Sequence, residues 1–174
     1  MMTPDTRSEG SLEEIIRASL GDFADFLSGS SWWGREREMI SLYAFGFLRR
    51  HCKTGSVIHD PTQIGIEVAV PQVRPPGVKA LVCKDLVIWP ERAMNYWSRP
   101  RRNPLAVFEW KTKDSKKRQA DIEWLSRFSA RRADFVGFSV VCRISPTVLI
   151  DVALVRSGEL KCKWCIKPSA QSVS

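Results

Sequence analysis

Residues 78–111 read VKALVCKDLVIWPERAMNYWSRPRRNPLAVFEWK. Two apolar runs, Lys79 to Trp89 and Leu105 to Lys111, have strand length and are bounded by Pro and polar turn residues. Side chains alternate faces along a strand, so Glu109 and Lys111 point the same way. Asp85 lies within the first run, flanked by Leu81, Val82 and Cys83 on one side and Leu86, Val87 and Ile88 on the other. A charge in such a run calls for a partner or a metal. If the two strands are neighbours, Asp85 and Glu109 converge on one cation, with Lys111 beside it. The alternative is that Asp85 pairs with a buried Arg or Lys, while Glu109 and Lys111 merely mark a strand end.

The same periodicities order the rest of the chain. Ser11 followed by Glu14 is a capping-box pattern and starts a helix over residues 12–28, with an apolar stripe of Leu12, Ile15, Ile16, Leu20, Phe23, Phe26 and Leu27. Residues 35–51 predict a second helix, apolar nearly all round and therefore buried, closed by Arg49, Arg50 and His51. Residues 64–70, IGIEVAV, predict a strand with Ile64, Ile66, Val68 and Val70 on one face and Glu67 on the other. With the two strands above, it completes an antiparallel meander. A helix is expected over residues 115–131, then strands from Asp134 through Ile144 and from Thr147 to Val155. Residues 156–174 read as a basic tail or short strand with Trp164 packed.

Composition sets the class of partner. The chain has 174 residues, 44% hydrophobic, with 27 Lys and Arg against 19 Asp and Glu and a formal net charge of +8. This is enough chain for one domain with a real core. The excess of positive charge points to a polyanion, nucleic acid first. The start MMTPDTRSEG does not resemble a signal peptide, no apolar run reaches membrane-spanning length, and five Cys do not form a disulfide scaffold, so a reducing cytoplasm is expected. Cys162 and Cys165 form a C-x-x-C pair, but structural zinc needs four ligands, and nothing in the sequence brings His51 and Cys52 to them. Zinc is therefore not expected.

Asp85 followed by Glu109-Trp110-Lys111 resembles the D…(D/E)-x-K signature of the restriction-endonuclease-like, or PD-(D/E)xK, nucleases. The resemblance spans residues 35–155, whose predicted order of helix, strand, Asp strand, E-x-K strand, helix and strand is similar to the family core. It implies an α/β (α+β) fold with a central mixed sheet of four to five strands flanked by helices. Residues 1–30 would add an N-terminal helical extension and 156–174 a basic tail.

It also implies Mg²⁺-dependent, or Mn²⁺-dependent, hydrolysis of DNA phosphodiesters, endonucleolytic in particular, with Asp85 and Glu109 as metal ligands and Lys111 beside the reacting water. Many members carry a Glu near the start of the first core helix. Glu36 and Glu38 both qualify, and Glu38, which shares a helix face with Leu42 and Phe45, is preferred. Gln119 and Asp121 are supporting candidates on the helix after E-x-K, although Gln119 stands where some members have Lys. The basic residues Arg92, Arg99, Arg101 and Arg102, with Lys113, Lys116, Lys117 and Arg118, are the expected phosphate contacts. RNA remains open as substrate, and cutting both strands of a duplex would call for a homodimer or a larger complex. The competing readings are a noncatalytic nucleic-acid-binding relative and a protein-interaction module with a basic face.

Overall fold

The computed structural model describes residues 11–73, 77, 79–100, 102–113 and 117–169. The chain forms α1 (Leu12–Gly29), α2 (Glu36–Leu42), β1 (Ile64–Pro71), β2 (Leu81–Ile88), β3 (Ala106–Lys111), α3 (Lys117–Ser129), β4 (Val136–Arg143), β5 (Leu149–Arg156) and β6 (Glu159–Ile166). The six strands make one mixed sheet in chain order. All neighbours are antiparallel except β3 and β4, which are parallel and joined through α3. A parallel pair needs such a crossover, and the crossover helix covers one face of the sheet.

Two apolar layers follow from that arrangement. Ala106, Phe108 and Trp110 of β3 face the layer shared with α1 and α2, where Phe23 and Tyr43 pack against Trp110 and Phe47 packs against Phe23. Val107 faces the other layer, with Trp124, Leu125 and Phe128 of α3. Only Lys111, the last residue of β3, is not fully buried. A Cβ at Gly137 on β4 would come within 2.9 Å of Leu125, so glycine there seats α3 close against the sheet.

α1 starts at the predicted cap: Glu14 N–H donates to Ser11 Oγ, and Ser11 N–H donates to the Glu14 carboxylate. Losing such a cap costs about 1 kcal/mol. Ile16, Leu20 and Phe23 are fully buried, which makes α1 part of the main core.

Four expectations are corrected. The sheet has six strands, not four or five, because residues 159–166 take the short-strand alternative rather than the tail, with Trp164 buried, and pair with β5. The uniform helix over 35–51 gives way after Leu42 to a π-helical turn, Tyr43–Phe47, and a 3₁₀ turn, Leu48–His51. That rewinding leaves Phe45 half exposed while Tyr43 is buried, its hydroxyl 2.8 Å from Ser19 Oγ. β2 begins at Leu81, two residues later than the apolar run suggests.

The fourth correction concerns the faces of β1 and β2. Ile64 and Ile66 pack in the α1/α2 layer, whereas Val68 and Val70 pack in the α3 layer. On β2, Leu86 and Ile88 lie in the α1/α2 layer, whereas Val82 packs in the α3 layer. Ladder pairing runs through Ile66↔Leu86, skips one position and resumes at Val68↔Lys84 without a register slip. The skipped pair is Glu67 and Asp85. Glu67 has φ +50°, a left-handed conformation that inverts the pleat. Both strands therefore exchange faces at the position that holds Asp85.

Candidate functional site

The face exchange determines what Asp85 and Lys84 can reach. The β2–β3 ladder runs from Ile88↔Ala106 to Leu86↔Phe108 and stops there. Past that point Asp85 replaces the ladder with its side chain: Oδ2 accepts the Trp110 N–H at 2.7 Å. A backbone donor that would otherwise be unpaired is thereby satisfied. Lys84, displaced onto the α3 face, reaches under the helix. Its ammonium pairs with Glu109 Oε1 and lies 3.7 Å from the centroid of the Trp124 ring. Lys84 and Glu109 are both almost fully buried.

Glu109 and Lys111 share the α3 face of β3, as alternation requires. Lys111 Nζ donates to Trp110 O at 2.7 Å and stands 3.7 Å from Asp85 Oδ2 and 3.4 Å from Asp121 Oδ2. Asp121 comes from the second turn of α3. Four of the predicted residues or supporting candidates are thus brought together: Asp85, Glu109, Lys111 and Asp121.

The electrostatics of these groups differ. Burial pushes Glu109 from 4.5 up to about 7, against the opposing pull of Lys84, with Asp85 and Asp121 adding to the rise. For Lys111, partial burial opposes the charge, but Asp85, Asp121, Glu36 and Glu109 together outweigh it and hold the ammonium above its usual range. Lys111 is therefore a cation and hydrogen-bond donor at neutral pH, not a proton acceptor. Three carboxylates face two ammonium groups, so the cluster carries surplus negative charge whenever Glu109 is ionised.

The two helix-start glutamates separate clearly. Glu38 is exposed and accepts the Arg35 N–H at 2.7 Å, which ties it to its own helix terminus. Glu36 is half-buried and near enough to act on Lys111. Of the two, Glu36 is the one that acts on the cluster, through Lys111. Gln119 is also away from the cluster, exposed and bonded to Glu123 at 3.2 Å.

The basic residues are divided between two regions. Lys113 lines a cleft of about 520 Å³ with Glu36 and Thr112, and Lys117 and Arg118 open α3. The loop between β2 and β3 leaves from the opposite end of the pair. Ile88 is about 10 Å along the strand from Asp85. Arg102 joins Arg131 and Arg132 in a separate cleft of about 310 Å³ at the starts of β3 and β4, and Arg92 and Arg99 are exposed. Arg101 and Lys116 lie outside the described residues.

Lys84 was missed as a site residue. The signal that marks Asp85, a charge in an apolar strand, applies equally to its neighbour. Cys162 and Cys165 lie three residues apart in regular pairing on β6 and project to opposite faces, so their spacing does not make a ligand pair. Among the described residues, no three His, Cys, Asp or Glu side chains are gathered closely enough to hold a metal ion. No helix among them is long and apolar enough to cross a membrane. No family model matches the chain, and searches of curated proteins and of solved structures find no match.

Proposed function

We propose that this protein is a metal-dependent nuclease that hydrolyses DNA phosphodiester bonds at Asp85, Glu109 and Lys111. The supporting observation is that Asp85 and Asp121 both stand beside Lys111 beneath α3, with Glu109 on the same face of β3 and held by Lys84. When Glu109 is ionised, three carboxylates stand against the two ammonium groups of Lys84 and Lys111. Asp121 Oδ2 is buried and accepts no hydrogen bond, although Lys111 is nearby. A carboxylate oxygen with an ion-pair neighbour but no hydrogen bond, set near other carboxylates, suits a hard cation such as Mg²⁺ or Mn²⁺.

Asp85 and Asp121, 3.7 and 3.4 Å from Lys111 Nζ, would be the first ligands. Glu109 would have to leave Lys84 and move towards them, because the three are not gathered closely enough to hold an ion as they stand. Glu36 acts on Lys111 from the α2 side. When bound, the ion supplies Lewis-acid polarisation of the phosphoryl group and an acidified water. The chain's own contributions are separate. Asp85 is held in place by the Trp110 amide. Lys111, fixed by Trp110 O and kept charged by its carboxylate neighbours, offers a donor to negative charge developing on phosphate oxygen. Glu109 must give up a proton and its hold on Lys84 before it can serve as a ligand, so its protonation near neutral pH gates the site.

One observation favours the second reading, a binding relative without turnover. Lys84 already neutralises Glu109 as a built-in cation. In that case the basic surface binds nucleic acid and the carboxylates are structural.

The deciding experiment is incubation of plasmid and of linear single- and double-stranded DNA with Mg²⁺ or Mn²⁺, with and without EDTA. The nuclease reading expects EDTA-sensitive cutting by the wild type. Lys111→Ala should lower the rate about 100-fold or more while DNA affinity stays within about twofold. Binding without cutting of any substrate would leave the second reading.

A further inference from the structure

Seven tryptophans occur in the chain, and four of them, Trp89, Trp110, Trp124 and Trp164, are at most 8% exposed. Trp33 is 74% exposed. It stands on the wall of the 520 Å³ cleft between the start of α2 and the ends of β3 and β4. That volume is in the range of small-molecule sites. Met39, Cys142 and Ile144 give the cleft apolar lining, while Arg35, Lys113 and Arg143 bring positive charge. Arg143 is paired with Asp151. Arg35 and Lys113 have no ion-pair partner among the described residues and are exposed.

Among the described residues, Glu36 is the one carboxylate on the wall, against the three cations. An exposed indole, an apolar lining and a net positive rim together match the requirements of a nucleotide: a ring face to stack on, and charge for its phosphate. The cleft also adjoins the carboxylate cluster. Thr112 and Lys113 follow Lys111 directly in the chain, and Glu36 is common to both places.

We infer that this cleft binds a base of single-stranded nucleic acid, with Trp33 as the stacking platform and Lys113 and Arg35 on the flanking phosphates. The inference rests on the nuclease reading and refines it: the substrate is a single strand, or the unpaired part of a branched or frayed duplex. A paired base is already stacked on both sides and has no free face for Trp33. The base would sit next to the phosphate presented to Lys111.

The test uses the full chain in EDTA, so that nothing is cut. Fluorescence anisotropy compares about ten-nucleotide oligothymidylate with an abasic oligomer of the same length and charge, and with a hairpin duplex. Wild type should bind oligothymidylate about ten- to a hundredfold more tightly than the abasic oligomer. Trp33→Ala should erase that preference without changing duplex affinity, and Trp33→Phe should keep most of it.

Equal binding of the two oligomers by wild type overturns the inference, and this arm needs no variant to fold. A preference that survives Trp33→Ala also overturns it. Tight binding of polyglutamate in place of either oligomer would mark the cleft as a peptide site, again against the inference. None of these results alters whether Lys111→Ala stops cleavage, so failure of the cleft and failure of the nuclease reading are separable. Absence of all nucleic-acid binding would remove both.

Discussion

Replacing Lys84 with Met keeps most of the aliphatic stem under Trp124 and removes the charge that faces Glu109. The cost should depend on pH in a defined direction. In the folded protein Glu109 titrates near 7, against 4.5 for an ordinary Glu. A carboxyl raised on folding gives stability that is fully present below about pH 4.5 and is lost as pH rises through about 7. The swing is worth about 3 kcal/mol. At pH 5 Glu109 is protonated in the wild type and in Lys84→Met, so the variant loses only the cation–π contact, about 1 kcal/mol. At pH 8 the wild-type pair is ionic, and Lys84→Met strands a buried carboxylate or forces it to stay protonated. The penalty then rises to about 3 kcal/mol. Urea unfolding of wild type, Lys84→Met and Glu109→Gln at pH 5, 6, 7 and 8 measures this. Glu109→Gln should flatten the wild-type dependence between pH 5 and 7. A Lys84→Met penalty that does not change with pH, or parallel profiles for wild type and Glu109→Gln, would refute the buried pair.

Arg99→Ala with Arg102→Ala should weaken nucleic-acid binding and reduce the salt slope by about one for each phosphate that is no longer neutralised, with folding intact; titrations at several salt concentrations read this directly. Glu67 is held at φ +50°, so Glu67→Gly should be tolerated, while Glu67→Val should lower stability by about 1–2 kcal/mol in urea unfolding, because a β-branched residue resists that conformation. Glu36→Gln should slow cleavage more than Glu38→Gln, since Glu36 acts on Lys111 while Glu38 caps its own helix. Equal effects in a single-turnover assay would count against that assignment.

The sheet centre was legible because β3 and β4 are covered on both faces and read as nearly unbroken apolar runs. The last strand was not. β6 lies at the sheet edge, with Lys161 and Lys163 outward and Trp164 the one buried residue, so an alternating apolar signal never builds up. The segment IGIEVAV predicts one buried face, but a single left-handed residue at Glu67 divides it between two layers, and side-chain pattern does not encode φ. The charged cluster was legible where charge interrupts hydrophobicity, at Asp85 and Glu109. Lys84 became important only through the face exchange, which carries it from the position expected by alternation to the face beneath α3. The bond from the Arg35 amide to Glu38 was not legible from the helix face that Glu38 shares with Leu42 and Phe45. The rewinding after Leu42 has no sequence marker, because apolar residues on all sides of residues 39–48 fit several helical pitches.

The central claim is that Asp85 and Glu109 form a metal-dependent hydrolytic site rather than a structural ion-pair cluster. Mn²⁺ titration by calorimetry, run beside cleavage of single- and double-stranded DNA, compares wild type with Asp85→Asn and Glu109→Gln after each variant is shown to be folded by circular dichroism. The account predicts measurable Mn²⁺ binding and cleavage by the wild type, both weakened severely in each variant, with DNA affinity retained. Metal affinity unchanged in both variants, with every DNA left uncut by the wild type, would contradict it.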